Sequence, residues 1–344
     1  MSKILIIYTG GTIGMIQDPK TGALQPFNFE RLNIEVPEIN KFKFEIDTIS
    51  FKKPIDSTNA DIPFWLELAS LIEENYSKYD GFVILHGTDT MAYTASALSF
   101  ILKGLAKPVI LTGSQVPIGM IRTDGKENLI TAIEIAANKN GGDPLVSEVA
   151  VYFENKLFRG NRTVKMNAEH FNAFASPNYP VLAKAGIFIH YDDAALKPYQ
   201  PAKLELQKDF CADILLIKLF PGLKKEVFNA MIAIPNIKGI ILETFGSGNA
   251  PEFDWFIKGV EEAINKGIII VNITQCIEGF VAQGRYSTST ELNRLGVVNG
   301  LDLTTEAAIV KLMMVLAKND DIKIKKSIII EPWAGELTIS SSYK

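Results

Sequence analysis

Two hydrophobic rhythms alternate along the chain. Short continuous apolar runs, such as Ile4-Leu5-Ile6-Ile7 and Phe82-Val83-Ile84-Leu85, are separated by longer stretches with apolar residues every three or four positions. A continuous run bounded by turn residues suits a strand buried on both faces, and the wider spacing suits a helix with one buried face. The pattern predicts strands over 3–8, 43–50, 81–85, 108–112, 148–153 and 186–190, with helices over 62–74, 91–102 and 129–137. Alternating strands and helices predict α/β architecture with mostly parallel sheets, since parallel neighbours need a crossover long enough to hold a helix.

Both rhythms break after residue 190. Tyr191-Asp192-Asp193 and Lys197-Pro198-Tyr199-Gln200-Pro201 read as an interdomain connection. A second α/β pattern follows, with strands over 214–219, 239–242 and 267–273 and helices over 224–233, 253–265 and 305–317. The expected organisation is a larger N-terminal α/β domain at 1–190, a linker at 191–211 and a smaller C-terminal α/β domain at 212–344. The boundary falls near 195–210. A length of 344 residues suits two domains. Neither an internal repeat nor a low-complexity tract interrupts the pattern.

Composition narrows the function classes. Hydrophobic residues make up 47% and charged residues 22%, enough apolar material for two cores. The net charge is −4 and the basic residues are scattered, which argues against nucleic acid as a partner. The start, Met-Ser-Lys, runs straight into a strand without the pattern of a signal peptide. No apolar stretch is long enough to span a bilayer, so no membrane partner is expected. Cys211 and Cys276 give neither a disulfide framework nor metal spacing. A cytoplasmic location is expected.

Two strand-to-loop junctions carry the candidate chemistry. The first apolar run ends in Tyr8-Thr9-Gly10-Gly11-Thr12-Ile13-Gly14, and the third predicted strand ends in His86-Gly87-Thr88-Asp89-Thr90. In an open α/β sheet, ligands bind beyond the carboxyl ends of the strands. Gly10 and Gly11 either make a tight turn whose hydroxyl caps local backbone, or let a ligand approach closely beside Thr12. A threonine hydroxyl becomes a nucleophile only when a base or a positive neighbour activates it. Asp89, at the start of a predicted helix, reads either as a structural N-cap or as the counter-charge for a substrate ammonium, with Thr88 facing the reacting carbonyl. His86 reads as a core or turn residue, since the chain has no Gly-x-Ser-x-Gly elbow.

Other segments add candidates. Arg159-Gly160-Asn161-Arg162-Thr163-Val164-Lys165 is either a basic surface run or the source of a partly buried lysine that accepts a proton from a hydroxyl. Ser57-Thr58-Asn59 either binds a carboxylate or caps the helix that begins near Ile62. Thr112-Gly113-Ser114-Gln115 ends a strand and could lend a backbone N–H. Gly246-Ser247-Gly248-Asn249-Ala250-Pro251 only half matches a dinucleotide fingerprint, because Pro251 stands where the third glycine belongs.

Taken together these segments resemble the bacterial type I (cytosolic) L-asparaginases. The matching stretches are Tyr-Thr-Gly-Gly-Thr-Ile-Gly-Met at 8–15 and the run from Asp80 to Phe100. Thr112-Gly-Ser-Gln, Arg159-Gly-Asn-Arg-Thr, Phe174-Ala-Ser-Pro-Asn, Gly248-Asn-Ala-Pro and Val271-Asn-Ile-Thr-Gln-Cys also match. The resemblance covers nearly the whole chain. It implies hydrolysis of L-asparagine to L-aspartate and ammonia without metal or cofactor. Thr12 matches the family's usual nucleophile, and Thr88, Asp89 and Lys165 match its second catalytic cluster. Gly11, Ser57, Thr58, Thr88, Asp89, Ser114 and Asn249 fall at substrate-binding positions. Of these, Asp89 and Ser57 match residues that hold the substrate's amino and carboxylate groups, Ser114 matches one that supplies an oxyanion-hole N–H together with Thr88, and Asn249 matches one that reaches a neighbouring subunit's site. A homodimer or homotetramer is implied.

Three departures stand beside the match. Gly22-Ala23-Leu24 lacks the catalytic tyrosine that family members commonly carry in an N-terminal lid. Glu243 and Val164 replace the arginine and threonine with which some type I enzymes bind a regulatory asparagine, although Cys276 remains. A glutamate repels a carboxylate, so weak or absent activation by asparagine is expected. Thr58 and Asn59 differ from the more usual substrate-loop residues and bear on asparagine versus glutamine preference.

The alternatives are a broader asparaginase/glutaminase or related amidohydrolase, a lysophospholipase, the amidase subunit of an archaeal-type glutamyl-tRNA amidotransferase, and a non-catalytic asparagine sensor. The amidotransferase subunit carries an additional N-terminal domain, for which a Gly-Gly-Thr loop at residue 10 leaves no room. A sensor would need neither threonine nor Lys165.

Overall fold

A computed structural model describes residues 2–17, 24–26, 36–284 and 287–339. The chain divides into two compact units, Met1–Lys208 and Asp209–Lys344.

The first unit is built on an eight-stranded sheet. Its strands in chain order are β1 (Lys3–Gly10), β2 (Glu45–Ile55), β3 (Gly81–Leu85), β4 (Val109–Thr112), β5 (Val149–Phe153), β6 (Lys156–Arg159), β7 (Ala183–Ala185) and β8 (Ile189–Tyr191). Across the sheet the order is β8-β7-β6-β5-β4-β3-β1-β2. The five strands from β5 to β2 are parallel, and β6, β7 and β8 continue the sheet antiparallel. Ile4 to Ile7 and Phe82 to Leu85 are wholly buried, as expected of runs covered on both faces. Helices α1 (Ile62–Asn75), α2 (Met91–Ile101) and α3 (Gly125–Ala137) supply the crossovers. Asp61 caps α1 by accepting the Phe64 N–H, Pro63 sits in its first turn, and Phe64, Leu68 and Ile72 line its buried face.

The structure departs from the sequence expectation at two places in this unit. The single strand expected over 186–190 is a hairpin. β7 pairs with β8, Gly186 N donates to Phe188 O, and Ile187 and Phe188 stand exposed at the tip. The stretch expected to connect the domains is built largely into the first unit. Tyr191 ends β8, Ala195, Leu196 and Leu204 are buried, and Glu205–Leu206 pairs with Leu102–Lys103.

The second unit carries a four-stranded parallel sheet in chain order: β9 (Ile214–Lys218), β10 (Gly239–Thr244), β11 (Ile269–Thr274) and β12 (Val298–Asn299). Helices α4 (Lys225–Ile232), α5 (Asp254–Asn265), α6 (Ser287–Leu295), α7 (Thr305–Ala317) and α8 (Ile322–Ile329) accompany it. Neither α6 nor α8 was expected from the hydrophobic pattern. The strand expected from 267 begins at Ile269, because Gly267 adopts φ 84° and closes α5 by donating its N–H to Ile264 O. Lys311 on α7 and Glu336 form a fully buried ion pair. Glu336 also receives the N–H groups of Trp333 and Ala334, so the charge is solvated by the chain itself.

Candidate active site

Read from β2 to β5, the parallel strands run 2-1-3-4-5, so the connections diverge between β1 and β3. A sheet of this order opens a ligand crevice at that switch point, beyond the strand ends. Thr12 follows β1 and Thr88 follows β3, so adjacency of the two strands brings the two loops together. The glycines show how closely. A Cβ on Gly11 would lie 2.4 Å from Gly87 N, and one on Gly87 would lie 2.6 Å from Ser57 Oγ. One on Gly113 would lie 2.4 Å from His86 O, and Ile118 N donates to Ile13 O. Gly11 also needs its φ of 86°, which side chains other than hydrogen rarely tolerate. The loops after β1, β2, β3 and β4 therefore pack backbone against backbone, bringing together the turns that carry Gly11, Thr12, Ser57, Thr88 and Ser114.

Thr12 opens a short 3-10 turn, Thr12–Gly14, and is partly exposed. Among the described residues, nothing hydrogen-bonds its hydroxyl. Gly22 and Ala23 lie outside the described residues, and Leu24 begins a strand paired with Met15–Gln17. Tyr8 lies beside the turn but is no stand-in for a lid tyrosine. Its hydroxyl donates to Gly14 O at 3.1 Å, and burial pushes its pKa up to about 12, which makes it a reluctant proton donor.

The second cluster is joined by direct bonds. Lys165 Nζ donates to Thr88 Oγ1 at 2.8 Å and to Asp89 Oδ1 at 2.6 Å. The lysine side chain is 17% exposed and the aspartate 57%, so the ammonium is enclosed while its carboxylate partner still faces water. Lys165 reaches Thr88 from a two-residue ribbon, Val164–Lys165, paired with Phe174–Ala175. The N-cap reading of Asp89 does not hold. Thr90 occupies that position on α2, and its hydroxyl donates to Ser57 O at 2.6 Å.

The remaining candidates divide. Ser57 is buried against Gly87. Thr58 is exposed, and its hydroxyl and N–H both donate to Asp56, whose carboxyl these bonds hold below its usual range. The helix-cap alternative for Ser57-Thr58-Asn59 is displaced, because Asp61 caps α1. The Ser114 hydroxyl is fully buried without a partner among the described residues. Asn249 belongs to the second unit, where its N–H donates to Phe245 O across a tight turn. Among the described residues, no three His, Cys, Asp or Glu side chains are grouped as metal ligands would be.

Sequence reasoning gave no role to Gln115 or Asp124. Thr88 Oγ1 donates to Gln115 Oε1 at 3.2 Å. The Asp124 carboxylate receives the N–H groups of Gln115 and Val116 and fixes that loop. A polar residue at a strand-end loop was the only available signal for Gln115.

His86 is buried and supports the Thr88 loop from below. Its Nδ1 lies 2.7 Å from Gly87 O, so Nδ1 carries the proton and Nε2 accepts from Thr94 Oγ1 at 2.9 Å. Thr94 in turn accepts the Trp65 indole N–H. Burial lowers the His86 pKa to about 4. The unfolded chain binds the proton below about pH 6.5 and the folded chain only near 4, so stability falls as pH drops through that interval. The fall amounts to roughly 3 kcal/mol. Denaturant unfolding between pH 7 and 4 should show this slope in the native protein and lack it in His86→Gln, and equal slopes would refute it.

Comparison with known proteins gives a consistent result. A family model described as "Asparaginase, N-terminal" matches residues 3–196, and one described as "Glutaminase/Asparaginase C-terminal domain" matches residues 213–328. Over 337 residues the chain is 40% identical to L-asparaginase 1 of Escherichia coli strain K12, covering 98% of each. It is 36% identical to the 60 kDa lysophospholipase of Mus musculus, over 99% of this chain and 63% of that protein. The crystal structure of L-asparaginase I from Vibrio cholerae matches with a TM-score of 0.89 and 38% identity, covering 98% of this chain and 99% of that one.

Proposed function

The chain belongs to the asparaginase family, and from that membership we propose that it hydrolyses L-asparagine to L-aspartate and ammonia by threonine nucleophilic catalysis. The observation that carries the reading is the bonded set Lys165, Thr88 and Asp89, set beside the loop that bears Thr12.

In the proposed mechanism the substrate ammonium pairs with Asp89 and its α-carboxylate meets Ser57, with Gly11 and Thr58 lining the same end. The side-chain amide carbon is presented to Thr12. The Thr12 oxygen bonds to that carbon, and the carbonyl oxygen becomes an oxyanion received by N–H groups at Thr88 and Ser114. Removing one such donor typically slows turnover about 10²–10³-fold. The C–N bond then breaks as the nitrogen takes a proton from Thr88, Lys165 makes good the Thr88 proton and receives the one that Thr12 gives up, and ammonia leaves a β-aspartyl ester on Thr12. Water attacks the ester, the Thr12 oxygen leaves with a proton relayed from Lys165 through Thr88, the water's proton returns to Lys165, and aspartate is released with Thr12 restored. No metal or cofactor enters. The same reading makes the protein cytoplasmic and a homodimer or homotetramer, with Asn249 reaching the neighbouring subunit's site.

The direct bond between Lys165 and Thr88 disfavours a sensor that only binds asparagine, since recognition needs neither group. Ammonia release with L-asparagine, L-glutamine and D-asparagine tests the proposal. The expected result is rapid release from L-asparagine, with D-asparagine close to background. Tight aspartate binding without any release would identify a sensor instead.

A further inference from the structure

The bonds around Thr88 fix where its single proton points. Gln115 Nε2 donates to Ala168 O at 3.3 Å and to His170 O at 3.2 Å. Both amide hydrogens are thereby used, and the opposite orientation would face an amide oxygen against two carbonyl oxygens. Oε1 is therefore the atom that meets Thr88. An amide oxygen has no proton to give, so across that contact the Thr88 hydroxyl is the donor. With its one proton committed, Thr88 can only accept from Lys165, whose ammonium is also held by Asp89. A directed chain results: Lys165 to Thr88, Thr88 to Gln115, and Gln115 to the carbonyls of Ala168 and His170.

The Gln115 backbone is pinned as firmly as its side chain. Its N–H and that of Val116 both donate to Asp124. Asn128 Nδ2 donates to Asp124 and to Gly113 O, while Asn128 Oδ1 receives the Glu154 N–H. The loop between Gly113 and Val116 is thus braced from α3 and from the β5–β6 turn.

We propose that Gln115 is a positioning residue for amide hydrolysis: its side-chain carbonyl holds the Thr88 hydroxyl with a lone pair toward the Lys165 ammonium, so that Thr88 can pass its own proton to the departing nitrogen while Lys165 replaces it, and the neutral lysine then takes the proton that Thr12 gives up. This rests on the proposed asparagine hydrolysis and adds a residue to it. Gln115 bonds to neither Asp89 nor Ser57, the groups assigned to the substrate's charges, so its influence falls on turnover and not on binding. The ionisable groups bonded to this chain are Lys165, Asp89 and Asp124.

A double-mutant cycle separates this role from simple bracing of the 168–170 loop. Gln115→Leu should lower kcat by about tenfold to a hundredfold, with KM for asparagine within about threefold and an unchanged melting temperature. In a Thr88→Val background, where there is no hydroxyl to orient, adding Gln115→Leu should change kcat less than about twofold. Four outcomes overturn the proposal. They are a Gln115→Leu enzyme with kcat near that of the native protein, a rise in KM that accounts for the loss, a full additional loss in the Thr88→Val background, and a native protein that releases no ammonia. The last removes the hydrolysis reading as well. An active native enzyme with an unaffected Gln115→Leu variant removes only the role of Gln115.

Discussion

Thr12→Ala should abolish turnover, by at least about 10⁴-fold, while leaving aspartate binding intact. Loss on this scale is expected because the hydroxyl forms the covalent bond in the proposed reaction. Binding should persist because the substrate's two charges are assigned to Asp89 and Ser57, which lie on other loops. The fold should tolerate the change. Thr12 is partly exposed and its hydroxyl makes no hydrogen bond among the described residues, so stability should move by less than about 0.5 kcal/mol. Steady-state ammonia release and calorimetric titration with aspartate measure the two halves separately. Turnover within tenfold of the native rate would move the nucleophile's role to Thr88, the other hydroxyl at the switch point.

The expected positions of the two threonines could be read from sequence for a physical reason. Both follow continuous apolar runs, and such runs become interior strands because they are covered on both faces. Glycines at Gly10, Gly11 and Gly87 advertise close backbone approach, and the contacts at those positions show why a side chain would not fit. What escaped the sequence was antiparallel and side-chain geometry. The β5–β6 turn places Glu154 and Asn155 at φ 41° and 60° without any glycine to mark it, so the hydrophobic pattern predicts neither β6 nor β7. Helix α6 begins with Ser287-Thr288-Ser289-Thr290, a poor helix signal. Glu243, expected from the resemblance to repel a ligand carboxylate, accepts from Thr305 and pairs with Lys218, and neither partner follows from spacing. The side-chain role of Gln115 escaped for a similar reason, although its loop stood out. Its role depends on two carbonyls more than fifty residues away, and a side-chain amide has no periodicity to betray it.

Replacing Lys165 separates proton movement from substrate recognition, because one ammonium now serves both Thr88 and Asp89. Lys165→Met keeps the length of the chain and removes the charge. Turnover should fall by about 10²–10⁴-fold, the usual contribution of a positioned acid or base. Affinity for aspartate should hold or improve. Lys165 lies 2.6 Å from the Asp89 carboxylate, so an incoming substrate ammonium must share it. Without Lys165 the Asp89 side chain still faces water, and the substrate ammonium meets it uncontested. Surface screening makes the binding gain small, no more than several-fold in affinity. Measuring kcat and aspartate affinity on the same preparation decides the matter. If affinity collapsed while kcat at saturation stayed near native, Lys165 would be a substrate-binding cation, and its bond to Thr88 would have no part in moving protons.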